Sequence, residues 1–178
     1  MILTEADRGT YLELDGRPAV RFRRYYPHPV EKLWAAVSTP DGMRHWFPGR
    51  VTIEPHVGGA MSFDMDPHVA AGTGRVLAWD PPRRFAFTWF DSEVHLELES
   101  TDSGGVLTLT ELLAAKDTAA RNSAGWHVCL GELTKHLGGA TETNPHGADA
   151  TPWGPLYEAY VAAGVPAGAQ IPERGPDG

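Results

Sequence analysis

Ala124-Gly125-Trp126-His127-Val128-Cys129-Leu130-Gly131-Glu132-Leu133-Thr134-Lys135-His136-Leu137 reads as one amphipathic helix, and it follows a long run of strand-like segments. Trp126, Leu130, Leu133 and Leu137 recur at i, i+4, i+7 and i+11, so they share one face. Gly131, Glu132 and Lys135 fall on the other side. A single long helix after a run of strands must bury its stripe against their sheet. Whether sheet and helix meet tightly or leave a hollow between them decides what the protein can hold.

Upstream of that helix the hydrophobic period is two. Tyr11 to Leu14 and Val20 to Tyr26 are short strand candidates, with Asp15-Gly16 as the turn between them. Pro27-His28-Pro29 stops the second strand. Val30, Leu33, Trp34 and Val37 then follow at helical spacing, so the pattern predicts a helix over about residues 29–38. Thr39-Pro40-Asp41 starts a second, shorter helix carrying Met43, Trp46 and Phe47, with Thr39 as its N-cap and Pro48 as its end. Val51 and Ile53, then Met61, Phe63 and Met65, alternate with polar residues. Gly74 to Trp79, Phe85 to Trp89, Val94 to Leu98 and Val106 to Leu113 continue the series, separated by Asp80-Pro81-Pro82, Asp91-Ser92 and Ser103-Gly104-Gly105. Short strands joined by tight turns make an antiparallel meander with one apolar face.

The long helix is predicted from about Asp117 or Thr118 to Leu137, where Gly138-Gly139 stops it. Residues 139–155 read as a polar linker. A short accessory helix over 153–163, carrying Leu156, Tyr157, Tyr160 and Val161, is expected to pack back on the body. The Pro- and Gly-rich stretch 164–178 is expected to be a disordered tail. The whole then forms one domain over residues 1–163, with its core at 20–138.

The chain has 178 residues, with 23 acidic against 15 basic side chains and a formal net charge of -8. That balance argues against a nucleic-acid or anionic-membrane partner, because both need concentrated Lys and Arg. Arg21, Arg23 and Arg24 alternate with Phe22 and Tyr25 and read as one strand. Cys129 is the single cysteine, so no disulfide can close within the chain, and its place on the helix suits a buried, inert thiol. Neither a signal-peptide pattern nor an apolar run of spanning length occurs, so a cytoplasmic location is the default expectation.

Four stretches in this order resemble a known family. Pro29-Val30-Glu31-Lys32-Leu33-Trp34-Ala35-Ala36-Val37, Met43-Arg44-His45-Trp46-Phe47, Asp80-Pro81-Pro82-Arg83-Arg84-Phe85-Ala86-Phe87-Thr88-Trp89, and Gly125-Trp126 with Leu130 and Leu133 are similar to the START-like (SRPBCC) superfamily. Within it they resemble the group related to the C-terminal domain of the activator of the Hsp90 ATPase. The resemblance implies an α+β helix-grip fold: a curved antiparallel sheet of about seven strands wrapped around the long C-terminal helix, two short helices near the N-terminus, and a cavity between sheet and helix. It implies binding of a small hydrophobic or amphipathic molecule, as carrier or sensor. Cyclase or dehydratase chemistry on a polyketide-like substrate and a chaperone-interaction module are the alternatives it carries. It transfers no catalytic residues.

Aromatic side chains dominate apolar pockets, which add only a few polar groups. Trp46, Met61, Phe63, Trp89, Trp126 and Leu130 are therefore the expected ligand-binding residues, although the same rings would equally serve as plain core. His127 and Arg75 are the candidate polar cavity residues. His127 flanks the stripe and has the pKa range for acid-base work, but a half-exposed helix position explains it as well. The eight histidines are scattered and show no zinc spacing, and Asp64, Asp66 and His68 lie on a face expected to meet water. No metal site and no cofactor are expected. Gly72-Thr73-Gly74 lacks the third glycine of a dinucleotide loop and precedes a strand. There is no G-x-S-x-G elbow and no Walker loop.

Overall fold

The structure, a computed structural model, describes residues 3–171. Strand β1 (Thr10–Leu14) and strand β2 (Arg17–Tyr26) form a hairpin. Asp15 and Gly16 between them both have positive φ, at 49° and 78°. That pair of left-handed residues makes the two-residue turn whose twist matches the strands it joins, and glycine takes the second place without strain. Helix α1 (Val30–Ser38) begins after Pro29, which occupies the N-cap. Helix α2 (Pro40–Met43) has Pro40 at its start, and the Thr39 hydroxyl accepts a hydrogen bond from the Gly42 N–H at 3.0 Å. A Cβ at Gly42 would lie 2.3 Å from the Ala35 carbonyl oxygen, so the two helices meet this closely only because residue 42 is glycine.

The meander follows: β3 (Arg50–Ile53), β4 (Ala60–Asp64), β5 (Gly72–Asp80), β6 (Arg84–Trp89), β7 (Ser92–Thr101) and β8 (Gly104–Leu112). All neighbours are antiparallel, and the sheet runs in the order β1-β2-β8-β7-β6-β5-β4-β3. It has eight strands, one more than the resemblance implied. A register shift between Val76 and Ala78 interrupts β5 against β6, and bulges of this kind increase local bend and twist.

A 3-10 turn (Lys116–Thr118) leads into α3 (Ala119–Leu137), which lies in the hollow of the sheet. Trp126, Leu130, Leu133 and Leu137 are all buried, as the stripe predicts. Glu132 departs from the expected pattern. It is buried too: Lys135, one turn on in the same helix, donates from Nζ to Oε1 at 2.6 Å, and the segment after the helix folds back over it, with the Asn144 N–H donating to Oε2 at 3.1 Å. Gly125 has open space around it, since a Cβ there would meet nothing within 4 Å.

Helix α4 (Trp153–Ala162) packs on α3 through the buried Leu156 and Tyr160. The first part of the predicted tail, residues 164–171, bonds back to the start of α3. The Ala120 N–H donates to the Pro166 carbonyl at 2.8 Å, the Ala169 N–H to the Asp117 carbonyl at 3.2 Å, and Arg121 Nη1 to the Gln170 carbonyl at 3.0 Å. The remainder of the predicted tail lies outside the described residues. Among the described residues no helix is long and apolar enough to cross a membrane.

Candidate functional site

The turn after α2 and the strands β4 and β6 bring their aromatic side chains to one end of the hollow, opposite Trp126. Phe47 sits at the centre. Its ring centroid lies 5.3 Å from Trp89, 5.9 Å from Trp46, 6.0 Å from Phe63 and from Trp126, and 6.1 Å from Phe87. Most of these contacts are tilted or edge-to-face, the arrangements that ring quadrupoles favour. Trp46 is held further by its indole N–H, which donates to the Ala36 carbonyl at 2.9 Å. Met61 and Leu130 are buried in the same core. The six residues expected to bind a ligand therefore belong to one continuous apolar cluster.

The expected hollow between sheet and helix is filled by those rings. What remains is a crevice of about 10 Å³, lined by Phe47, Phe63, Asp66, Val69, Trp89 and Phe90 among others. That is room for about one water at most. The crevice marks a mouth with an apolar rim. Trp89 is half-buried, and Met65, Val69 and Phe90 are 74%, 40% and 44% exposed. Met65 and Phe90 carry positive φ values of 59° and 52°. Neither is glycine, so each holds a backbone conformation that is disfavoured for its side chain, a form of strain that concentrates at binding and switching regions. Phe90 lies against Gly72, where a Cβ would come within 2.5 Å of its ring.

Neither predicted polar residue faces this cluster. Arg75 is exposed, and its Nη1 donates to the Gly58 carbonyl at 3.1 Å on the outside of the sheet. The register shift in β5 lies just beyond it, so simple alternation does not carry through. His127 turns toward β2 and α4 instead. Its Nδ1 is 2.9 Å from the Tyr160 hydroxyl, which accepts a hydrogen bond from the Gly9 N–H at 2.8 Å. The hydroxyl then donates to an unprotonated Nδ1. Burial, with the Arg24 charge adding to it, lowers the His127 pKa to about 4, so the ring is neutral at pH 7.

The polar group beside the aromatic cluster is Glu111, which the sequence reading passed over. It is fully buried. Trp126 Nε1 donates to Oε2 at 2.7 Å and Asn122 Nδ2 to Oε1 at 3.1 Å. Burial raises its pKa above the ordinary carboxylate range, and the Trp126, Ser92 and Asn122 donors pull the other way. A signal for it was present. Glu111 falls in phase with Leu107, Leu109 and Leu113, so alternation alone puts it on the inner face.

Asp64, Asp66 and His68 are engaged with other partners or exposed. Asp64 makes a paired ion bridge with Arg50, at 2.9 and 3.0 Å, and Asp66 Oδ1 accepts from the His68 N–H at 2.8 Å. Among the described residues no three His, Cys, Asp or Glu side chains are grouped to hold a metal ion. Cys129 is buried, and burial pushes its thiol pKa up, away from nucleophilic use.

The fold is shared with solved structures. The protein EF2215 of Enterococcus faecalis superposes with a TM-score of 0.70 at 18% identity, covering 89% of this chain and 91% of that one. The solution structure of CalU16 of Micromonospora echinospora gives 0.70 at 20% identity, over 90% and 95% of the two chains. MLL2253 of Mesorhizobium loti gives 0.56 at 25% identity, over 67% of this chain and 93% of that one. No curated protein matches the sequence. A family profile described as "Activator of Hsp90 ATPase homolog 1-like protein" matches residues 27–138, from the approach to α1 through the end of α3. The chain belongs to that family.

Proposed function

We propose that the chain binds a small hydrophobic or amphipathic molecule among the rings between the sheet and α3, as carrier or sensor. The observation that carries this reading is the mouth. A buried aromatic cluster runs without interruption to an exposed apolar rim at Phe90 and Val69, with left-handed backbone at Phe90 and at Met65, between the lining residues Asp64 and Asp66. The form described here is closed. A ligand enters by displacing Phe90 and Trp89, whose rings have only van der Waals partners to lose. Burial of its apolar surface offsets that cost at about 25 cal/mol per Å². Trp46, Met61, Phe63, Trp126 and Leu130 then form the floor.

The test is a titration of ¹⁵N-labelled protein with N-phenyl-1-naphthylamine, read at the indole N–H signals. The six tryptophans divide into two sets: Trp46, Trp89 and Trp126 each touch the Phe47 ring, while Trp34, Trp79 and Trp153 do not, Trp79 reaching the cluster only through Phe85. Saturable shifts confined to the first set are expected. Shifts confined to the second set, or none, would sink the reading. A cyclase or dehydratase in the same place is favoured by one observation, the carboxyl of Glu111 buried beside Trp126, where burial raises its pKa, the direction that suits proton donation to a substrate oxygen.

A further inference from the structure

Two glutamates are buried against α3, and they are treated differently. Glu132 has its counter-ion, since Lys135 Nζ lies 2.6 Å from Oε1. For Glu111, no cation lies within ion-pairing distance among the described residues. Its hydrogen-bond partners, Trp126, Asn122 and Ser92, are neutral donors. Arg121 is the charged group that acts on it from α3, and its guanidinium is spent on Asn122 Oδ1 and the Gln170 carbonyl. The flanking residues across the sheet, Val20 and Val94, are apolar.

We propose that Glu111 is the polar recognition group of this site, and that the ligand it selects is uncharged: an apolar ring system carrying a hydroxyl or a carbonyl oxygen. The inference rests on the binding reading above and gives it a ligand class. Trp126 belongs both to the aromatic cluster and to the carboxyl, so a ligand lying against the indole reaches the acid next. Trp126, Asn122 and Ser92 donate to the carboxyl, whose two oxygens together offer about four lone-pair sites, so acceptor capacity is left, and a protonated carboxyl also offers one O–H. It can therefore donate to a carbonyl and accept from a hydroxyl. A carboxylate ligand would bring a negative charge into an apolar place where, among the described residues, no buried cation meets it.

The experiment compares naphthalene, 2-naphthol and 2-naphthoate at pH 7, by tryptophan fluorescence, on the full chain and on two variants. The wild type is expected to bind 2-naphthol roughly tenfold tighter than naphthalene, the gain of one hydrogen bond to a buried acid, and 2-naphthoate weakest. Glu111→Met should erase the preference for the naphthol while naphthalene still binds. Glu111→Gln, neutral and of the same shape, should keep it. A folded Glu111→Met that still prefers the naphthol overturns the assignment, as does a wild type that takes naphthoate as well as naphthol. If naphthalene binds and the preference is absent, the binding reading stands and this one falls. If the wild type binds none of the three, both fall. Should Glu111→Met not fold, the wild type decides: the ¹³C signal of the Glu111 carboxyl must move with 2-naphthol and stay with naphthalene, and an unmoved signal refutes the proposal.

Discussion

Helix α3 meets the sheet along two seams of opposite character. On the side of β4 and β6 its neighbours are Phe47, Trp89 and Trp46, rings that touch rings. On the side of β2 it meets Phe22 and, through His127, the hydroxyl of Tyr160 on α4 and the backbone of Gly9. Arg24 closes that side further, with Nη2 donating to the Asp7 carbonyl at 2.6 Å. Ring contacts are individually weak and not strongly directional, so they can re-form in a new arrangement. The hydrogen-bonded seam cannot shift without leaving buried donors unpaired, which costs about 1–3 kcal/mol each. On the proposed binding reading, the aromatic end is the one that opens and the polar one stays sealed.

The sharpest way to break the comparison is to cut into each seam. Trp46→Ala removes a fully buried ring and its bond to Ala36. A loss of about 3–5 kcal/mol in urea unfolding is expected, together with new binding of apolar probes in the space left. Tyr160→Phe keeps the ring and removes the hydroxyl that serves both Gly9 and His127. A loss of about 1–3 kcal/mol is expected, without any gain in probe binding. Equal probe binding by both variants would erase the distinction between the seams.

Acid sharpens the same contrast. His127 has its pKa lowered to about 4 in the folded chain, against about 6.5 when unfolded. The unfolded state therefore binds more protons between those values. Stability is fully present above pH 6.5 and is lost as pH falls toward 4. Thermal unfolding should show that loss in the wild type and less of it in His127→Phe. A mutant with an unchanged acid slope would place the titration elsewhere. The smallest effect is expected at the mouth. Gly72→Ala puts a methyl where the Phe90 ring now lies, 2.5 Å from its nearest atom. Phe90 is exposed and can swing away, so stability should stay within about 0.5 kcal/mol of wild type, while probe association at the aromatic end becomes faster.

Much of this was written in the chain. The stripe on α3, the Thr39 cap and the alternating strands are local patterns, and local patterns survive folding. The six aromatic and aliphatic candidates fell into one cluster for the same reason. His127 went to the wrong seam because a helix turns by about 100° per residue, so the neighbour of Trp126 looks elsewhere. Glu132 was misplaced because its cover, Asn144, arrives from beyond the helix end. Glu111 was legible by phase and was missed because an acid among leucines is read as an exception to the pattern, whereas here it is the pattern's most specific member.

The start of α3 has no side-chain cap. Its early N–H at Ala120 is met by the carbonyl of Pro166, and Asp117 just before it receives the N–H of Ala169. The first turn of the central helix is thus completed by the last described stretch of the chain. During synthesis the sheet and the body of α3 emerge well before that stretch does. Until it docks, the Ala120 N–H at the helix start lacks the carbonyl that meets it in the folded chain. Residues 164–171 act as a finishing clasp, and a chain stopped short of Gly164 would carry the whole grip yet lack the piece that fastens its central helix.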